Sequence, residues 1–388
     1  MAHLTKPTVY TIEDSNIALL GSELEKRVHE HAGDKERAWE HAGLSPGLQI
    51  WRIEKFTVVD WPKDRYGSFY DGDSYIVLHT YKQDPKADAL SYDLHFWLGS
   101  ETTQDEAGTA AYKTVELDDH LQGLPVQHRE IQGYESPRFL SHFPRFVALH
   151  GGVATGFHHV SAPPPPGVPR LFRIGVAHDP AHPTKATLLV REVPAAARSL
   201  AEGDVFVLDK GTEVWQLNTK ASVGKEKFRA AEFVQSLVND REGRCEATVY
   251  EEGGVGAGRF LDVLGVDALP ARAPLAAASA KGRVSLFRLS DATGVVTFDP
   301  VEPFSRASLS SDDAFLLDHS VGGVHPALYV WIGRNASLKE RRLAGQYAQS
   351  HLYEKRERGE SSNVATTIVK MNEGSESHEF LILFDNVQ

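Results

Sequence analysis

The sequence predicts an α+β fold of three tandem domains, each a mixed, mostly antiparallel sheet sandwiched between a long and a short helix. One motif occurs three times in the 388 residues: an acidic step runs directly into an apolar segment, in 70–80, 202–209 and 312–318. An alternating strand pattern and then a long amphipathic helix follow each copy. The period of roughly a hundred residues is typical of tandem domains rather than of a short-repeat solenoid.

The acidic step is the part of the motif that a buried strand does not explain. Asp71-Gly72-Asp73, Glu202-Gly203-Asp204 and Asp312-Asp313 stand at the thresholds of the three apolar runs. Apolar runs of this length are typical of buried strands. A carboxylate at the same position in three copies therefore indicates a second role.

Composition limits the class of protein. At about 150 residues per domain the length predicts two or three domains, and 41% hydrophobic residues suffice for several small cores. No run approaches the ~18 apolar residues of a membrane span, and the chain starts without a charged-then-apolar leader. The single cysteine, Cys245, excludes internal disulfides and suits a reducing compartment. We therefore expect a cytoplasmic protein.

The net charge of −12 disfavours nucleic acid as a partner, because phosphate binding needs a basic surface. Excess carboxylates suit divalent cations, which they bind directly. Composition alone favours the simpler explanation, in which the acidity serves only solubility.

The segment 1–47 precedes the first copy of the motif. Apolar residues recur at helical spacing over 17–28, with Ser22 and Glu25 as a candidate capping box, and a second short helix is expected around 35–41. Three histidines in this segment are interpreted as solvated rather than as metal ligands: His29, His31 and His41.

The first domain is predicted over 48–160, with strands at 48–54, 75–80, 91–99 and 127–131 and a main helix at 104–119. A proline-rich linker, 161–169, is expected to be extended and semi-rigid, with a proline-reading partner as the alternative. The second domain, 170–267, has its helix at 225–238. A second linker, 268–282, leads to the third domain, 283–388, with its helix at 338–353.

Each long helix carries a glutamate in its first turn: Glu106, Glu226 and Glu340. The helix dipole, worth about 0.3–1 kcal/mol, explains one such residue. Calcium takes six to eight oxygen ligands at about 2.3–2.6 Å, so threshold aspartates and helix glutamates together also fit calcium sites. No EF-hand pattern is present. Helix capping and calcium binding therefore both stay open.

Several long segments resemble the first domain of the gelsolin–severin–fragmin–villin family. They are 48–56, 92–99, 104–108, 117–123, 126–130 and 151–157. The likeness runs from about residue 8 to the end of the sequence and is strongest in the first domain. The three-repeat length and the lead-in 16–21 are most similar to severin and fragmin.

The resemblance implies three tandem gelsolin-like domains and a monomeric, calcium-dependent partner of G- and F-actin that severs filaments, caps barbed ends and nucleates new ones. It places the protein in the cytoplasm, at the cytoskeleton. The calcium ligands that it implies are Gly72, Asp73, Glu106 and Val153 in the first domain, Gly203, Asp204 and Glu226 in the second, and Asp312, Asp313 and Glu340 in the third. Asp118, Gly123 and Pro125 occupy the position of a further ion that the family shares with actin.

The helix 104–119 resembles the family's wedge between actin subdomains, with Tyr112, Glu116 and Asp118 facing actin. The second domain is similar to the family's filament-side binder. Basic stretches of the family are reduced here to Arg145 in 142–150 and to scattered positions in the second domain, which puts phosphoinositide regulation in doubt. Val205 stands where a secreted form would need a disulfide cysteine.

Two rival functions stay open. A protein of the same fold that caps without severing is hard to separate by sequence. A metal-assisted hydrolase using the clustered carboxylates is the other, against which no zinc, nucleophile-elbow or phosphate-loop motif is present.

Overall fold

The computed structural model describes residues 36–84, 86, 88–153, 163–178, 186–269, 284–320, 326–358 and 366–385. The predicted lead-in helix at 17–28 and most of the second linker lie outside the described residues. The chain divides into two compact units. The first comprises the described parts of Met1–Trp61, Ser74–Glu135 and Ala278–Gln388; the second comprises those of Pro62–Asp73 and Ser136–Ala277.

The strands, in chain order, are β1 (Gly47–Glu54), β2 (Thr57–Asp60), β3 (Ser68–Tyr70), β4 (Ser74–Tyr81), β5 (Ser91–Leu98), β6 (Val126–Ile131), β7 (Arg145–Leu149), β8 (Arg170–His178), β9 (Ala186–Val193), β10 (Val205–Asp209), β11 (Glu213–Asn218), β12 (Glu246–Glu251), β13 (Ser285–Ser290), β14 (Thr297–Pro300), β15 (Ala314–His319), β16 (Ala327–Ile332) and β17 (Thr367–Asn372). The α-helices are α1 (Gln104–His120), α2 (Pro137–Ser141), α3 (Gly224–Asp240), α4 (Ala257–Val263), α5 (Leu338–Glu357) and α6 (His378–Asp385). In the described part of the chain, no helix has the length and hydropathy needed to cross a membrane.

The strands and helices repeat in one order, and this confirms the predicted α+β class. Three antiparallel strands are followed by a long helix and then by a strand parallel to the last of the three. The copies are β1-β4-β5-α1-β6, β8-β10-β11-α3-β12 and β13-β15-β16-α5-β17. Each acidic step precedes the middle strand of its copy. The predicted domain boundaries stay predictions, and the two compact units do not follow them, because 62–73 and 136–153 belong to the second unit.

The first unit contains a ten-stranded sheet with the order β14-β13-β15-β16-β17-β6-β5-β4-β1-β2. The first and third copies join where β6 pairs with β17 in antiparallel register, Gln127 opposite Lys370. One apolar core lies between α1 and the strands of the first copy, and two others lie on the strands of the third copy. The junction therefore gives two repeats a single sheet.

Helix α1 has defined signals at both ends. The side chain of Thr103 accepts the N–H of Glu106 at 3.2 Å and caps the first turn. The helix ends before Gln122 and Gly123, which have φ of 61° and 72°. Glycine tolerates this left-handed conformation without strain. The predicted helix at 35–41 is shorter and tighter than expected, a 3₁₀ turn at Arg37–Trp39 whose Trp39 is buried in the core beside α1.

The second unit contains a seven-stranded sheet with the order β12-β11-β10-β8-β9-β7-β3. Helices α3 and α4 pack against the strands of the second copy, and the apolar core there includes Phe206, Leu217 and Phe260. At the other end of the sheet four fully or almost fully buried phenylalanines contact one another: Phe69, Phe139, Phe143 and Phe146.

Buried ion pairs attach the long helices of the second and third copies to their sheets. Arg241 binds both carboxylate oxygens of Asp209, at 2.8 and 2.6 Å. Asp318 accepts hydrogen bonds from His351 and Lys355, both at 2.7 Å. Burial alone would raise the pKa of Asp318, but its hydrogen bonds outweigh burial and hold that pKa well below its usual range.

We expect Asp318→Asn to lower the free energy of unfolding by roughly 3 kcal/mol at pH 7, because His351 and Lys355 lose a buried anionic partner. Since the pKa of Asp318 is depressed on folding, its stabilisation is complete above the unfolded pKa, near 3.8, and is lost as pH falls below that value. The difference between variant and wild type in urea unfolding, followed by circular dichroism, should therefore shrink below about pH 4. Asp299→Asn, at an exposed aspartate, is the control. A difference independent of pH would contradict the assignment.

Candidate metal centres

We call the acidic step before each middle strand the threshold of that copy. In the first copy the threshold is a tight backbone turn around Asp73, which belongs to the second unit. Asp73 Oδ1 accepts the N–H of Val153 at 2.9 Å, and the N–H of Gly72 donates to the carbonyl of Gly151 at 2.8 Å. Gly152 has φ of 152°, and a Cβ there would lie 2.6 Å from Asp73 Oδ1. The structure thus brings together Gly72, Asp73 and Val153. Glu106 belongs to the first unit, in the first turn of α1.

The threshold of the second copy holds a buried carboxylate beside an arginine. Asp204 Oδ2 lies 2.9 Å from Nε of Arg173. The hydroxyl of Thr219 donates to the Asp204 carbonyl at 2.7 Å and accepts the N–H of Gly203 at 3.0 Å, which fixes the backbone. Glu226 accepts the N–H of Val223 at 3.3 Å, so it caps its own helix here.

The threshold of the third copy repeats this arrangement. Asp313 Oδ2 lies 2.8 Å from a terminal nitrogen of Arg288. This oxygen is buried and accepts no hydrogen bond of acceptable geometry within the described residues. Asp312 accepts from the side chain of Asn335 at 3.0 Å. Glu340 is buried, and its two oxygens accept the N–H groups of Asp291 and Ser337, each at 2.8 Å.

The chemistry of these thresholds fits a hard divalent cation. Carboxylate and carbonyl oxygens, the ligands that calcium prefers, gather at each one. The buried Oδ2 of Asp313 without a hydrogen bond is a group that a cation would satisfy. Because Glu226 and Glu340 serve as helix caps in this arrangement, their role as metal ligands stays a prediction.

The end of α1 holds another buried carboxylate. Asp118 is only 5% exposed, and its Oδ1 has no hydrogen-bond partner within the described residues. Burial raises the pKa of Asp118 to about 6, while the positive charge of Lys370 on β17 opposes that rise. The carbonyl of Gly123 accepts the side-chain N–H of Asn372 at 2.7 Å, and Pro125 is buried close by in sequence. Strand β17 therefore covers Asp118 and Gly123.

The outer face of α1 is partly occupied by the residues before β1. Glu116 accepts the indole N–H of Trp39 at 3.0 Å and the ammonium of Lys113 at 2.9 Å. Lys113 also donates to Glu36 at 2.9 Å. Tyr112, the other residue expected to face actin, is half-buried. Both carboxylate oxygens of Glu116 are thus engaged inside the first unit.

Two sets of residues at these sites were not identified as site residues from the sequence. Arg173 and Arg288 lie beside the threshold aspartates, and Lys370 and Asn372 lie over the end of α1. The arginines had a detectable signal, since Trp51-Arg52-Ile53, Phe172-Arg173-Ile174 and Phe287-Arg288-Leu289 open the three copies. Lys370 and Asn372 had none, because nothing local to β17 shows which strand it pairs with.

Comparison with known proteins identifies the family. The Gelsolin repeat family matches residues 56–140 and 298–381. Gelsolin-like protein 1 of Lumbricus terrestris is 41% identical over 335 residues, covering 85% of this chain and 86% of that protein. Severin of Echinococcus granulosus is 38% identical over 91% of this chain and 92% of its own length. Cytoplasmic gelsolin of Homarus americanus is 40% identical over 82% of this chain, which matches 42% of that protein. The chain therefore belongs to the gelsolin family, whose members are actin-binding proteins and not enzymes.

Proposed function

We propose that this chain is a calcium-regulated protein that severs actin filaments and caps their barbed ends, seen here with one actin-facing site closed. The observation that carries the proposal is the cover that β17 forms over Asp118 and Gly123. The resemblance implies that an ion shared with actin would bind at these two residues. Membership of a non-enzymatic family excludes the metal-assisted hydrolase considered above.

The cover and the actin-facing site use the same groups. Asn372 donates a hydrogen bond to the Gly123 carbonyl, and Lys370 is the positive charge with the largest effect on Asp118. An ion shared with actin needs both oxygens, so Lys370 and Asn372 must leave before it binds. Release of β17 and exposure of the site are therefore one event, and whatever favours the released state favours actin binding.

The junction that must open is the shortest in this part of the sheet. Strands β6 and β17 share three register pairs, Ile368–Arg129, Val369–His128 and Lys370–Gln127. Six pairs join β5 to β6, and six join β16 to β17. A separation of the first and third copies along this line breaks the fewest backbone hydrogen bonds and leaves each repeat whole.

The threshold aspartates are the proposed regulatory input. Each of these buried carboxylates in the second and third copies meets a single arginine, and bound calcium would bring two positive charges and further coordination positions. Asp204 and Asp313 each lie at the foot of a middle strand beside an arginine of the opening strand, so a bound cation would change the charge balance between two neighbouring strands. A cation that prefers the released arrangement shifts the population toward it.

On filaments, the proposal assigns side binding to the second domain and insertion between subunits to the first. Tethering of the two domains raises the local concentration of the inserting helix, to the order of millimolar for a short linker. The cytoplasm and the cytoskeleton are the proposed location, which the single cysteine and the cytoplasmic relative support.

The test of the proposal is depolymerisation of preformed actin filaments, with calcium and with a chelator. We expect light scattering to fall after addition of the full chain in calcium only, and elongation from barbed-end seeds to stop. Blocked elongation with unchanged scattering would identify a protein that caps without severing. Normal elongation and unchanged scattering in calcium would overturn the proposal.

Asn372→Ala should lower the calcium concentration at half-maximal severing. The variant loses a hydrogen bond that closes the site, worth about 1 kcal/mol, which corresponds to roughly a fivefold change in the ratio of released to closed chains. Asn239→Ala, at an exposed asparagine of α3, is the matched control and should leave the calcium concentration at half-maximal severing unchanged. If folded Asn372→Ala severs at the wild-type calcium concentration, β17 does not regulate severing.

Asp204→Asn and Asp313→Asn should each reduce the number of calcium ions bound per chain by one, because each removes a threshold carboxylate. Calorimetric titration of the full chain measures this stoichiometry, and circular dichroism checks that each variant is folded. Because the arginines of these pairs are 44% and 47% exposed, loss of the ion pair costs about 1 kcal/mol or less, and folding should persist. A folded variant with the wild-type stoichiometry would show that its aspartate is not a ligand.

A further inference from the structure

An arginine recurs at one register position in the three repeats. Arg52, Arg173 and Arg288 lie on the opening strands β1, β8 and β13. Their partners on the middle strands are Tyr75, Phe206 and Phe315 respectively. Each partner stands two residues after a threshold aspartate. The fold therefore places an arginine beside the start of every middle strand.

In the second and third copies this arginine forms an ion pair with the threshold aspartate. The separations are 2.9 Å for Arg173 and Asp204 and 2.8 Å for Arg288 and Asp313. The two members differ in exposure: the aspartate side chains are 10% and 4% exposed, whereas the arginine side chains are 44% and 47% exposed. The carboxylate is thus fixed in the fold, while the guanidinium has solvent into which it can turn.

We infer that Arg173 and Arg288 are displaceable counter-ions, which neutralise the threshold aspartates until a divalent cation replaces them and which thereby set the calcium affinity of the second and third repeats. This inference rests on the proposed calcium regulation and adds the residues that oppose it. It concerns competition for a carboxylate and involves no change of covalent bond.

The energetics favour displacement rather than a permanent pair. A partly exposed ion pair is stabilised little, since water screens it and the arginine gains side-chain freedom on release. A divalent cation offers two charges, against one for the arginine, and coordinates about six to eight oxygens around a single centre. The imperfect geometry at Asp313, whose Oδ2 accepts no well-aligned hydrogen bond within the described residues, is consistent with a pair held by charge.

The first repeat differs at the corresponding arginine. Arg52 is only 5% exposed, it pairs with Glu54, and its guanidinium lies 5.0 Å from the centre of the Trp61 ring. This cation–π contact and the ion pair hold the side chain in the first unit. We therefore assign the displaceable role to the arginines of the second and third repeats.

The test is calorimetric titration of full-length Arg173→Gln and Arg288→Gln with calcium chloride. Each variant should bind one calcium ion about tenfold more tightly. Repulsion between a screened unit charge and a divalent ion a few ångströms away changes the binding constant by about this factor. Arg173→Lys and Arg288→Lys keep the charge and should stay near the wild-type affinity. Arg244→Gln and Arg342→Gln, at exposed arginines of the same repeats, are the matched controls.

A second readout is thermal unfolding in chelator and in calcium. The glutamine variants should show a larger calcium-dependent rise in unfolding temperature than wild type, because the cation no longer competes with an arginine. Unchanged or weaker calcium affinity in folded glutamine variants would overturn this inference and leave the proposed function standing, provided that wild type binds calcium and severs filaments. A wild type that binds no calcium would overturn both.

Discussion

The short antiparallel pairing of β6 with β17 is the constraint on which the first unit depends. Each of these strands is the last of its own repeat and would otherwise present an open sheet edge. Their pairing joins residues that are 249 positions apart, Gly123 and Asn372, through a hydrogen bond. It also brings the charge of Lys370 to the buried Asp118. The contacts of β17 with the end of α1 thus follow from how one sheet is completed.

A common electrostatic principle links the candidate sites. A buried carboxylate is costly unless a cation or hydrogen-bond donors accompany it. At the second and third thresholds the cation is an arginine of the neighbouring strand, and at the end of α1 it is Lys370. The chain therefore supplies a positive charge at each of these three positions. Asp318 illustrates the contrasting case, in which buried partners on the long helix make the pairing permanent.

Much of the fold was predictable because its signals are local. Apolar runs predicted the middle strands and amphipathic patterns predicted the long helices, so α1 and α3 were placed within two residues at each end. Helix α5 extends four residues beyond its predicted end, since Lys355 continues the face that binds Asp318. A first-turn glutamate has two possible roles: Glu340 caps its helix here, and no spacing argument separates a helix cap from a metal ligand.

The sequence by itself determined the repeat, the α+β class and the positions of the acidic thresholds, because these depend on neighbours within a few residues. Only the tertiary structure decided which partner each carboxylate meets. Glu116 contacts Trp39 from 77 residues away, Asp204 contacts Arg173 across a strand pair, and β17 covers Asp118. These contacts depend on strand order and register, and a period-2 pattern carries no information about which strand lies next to which.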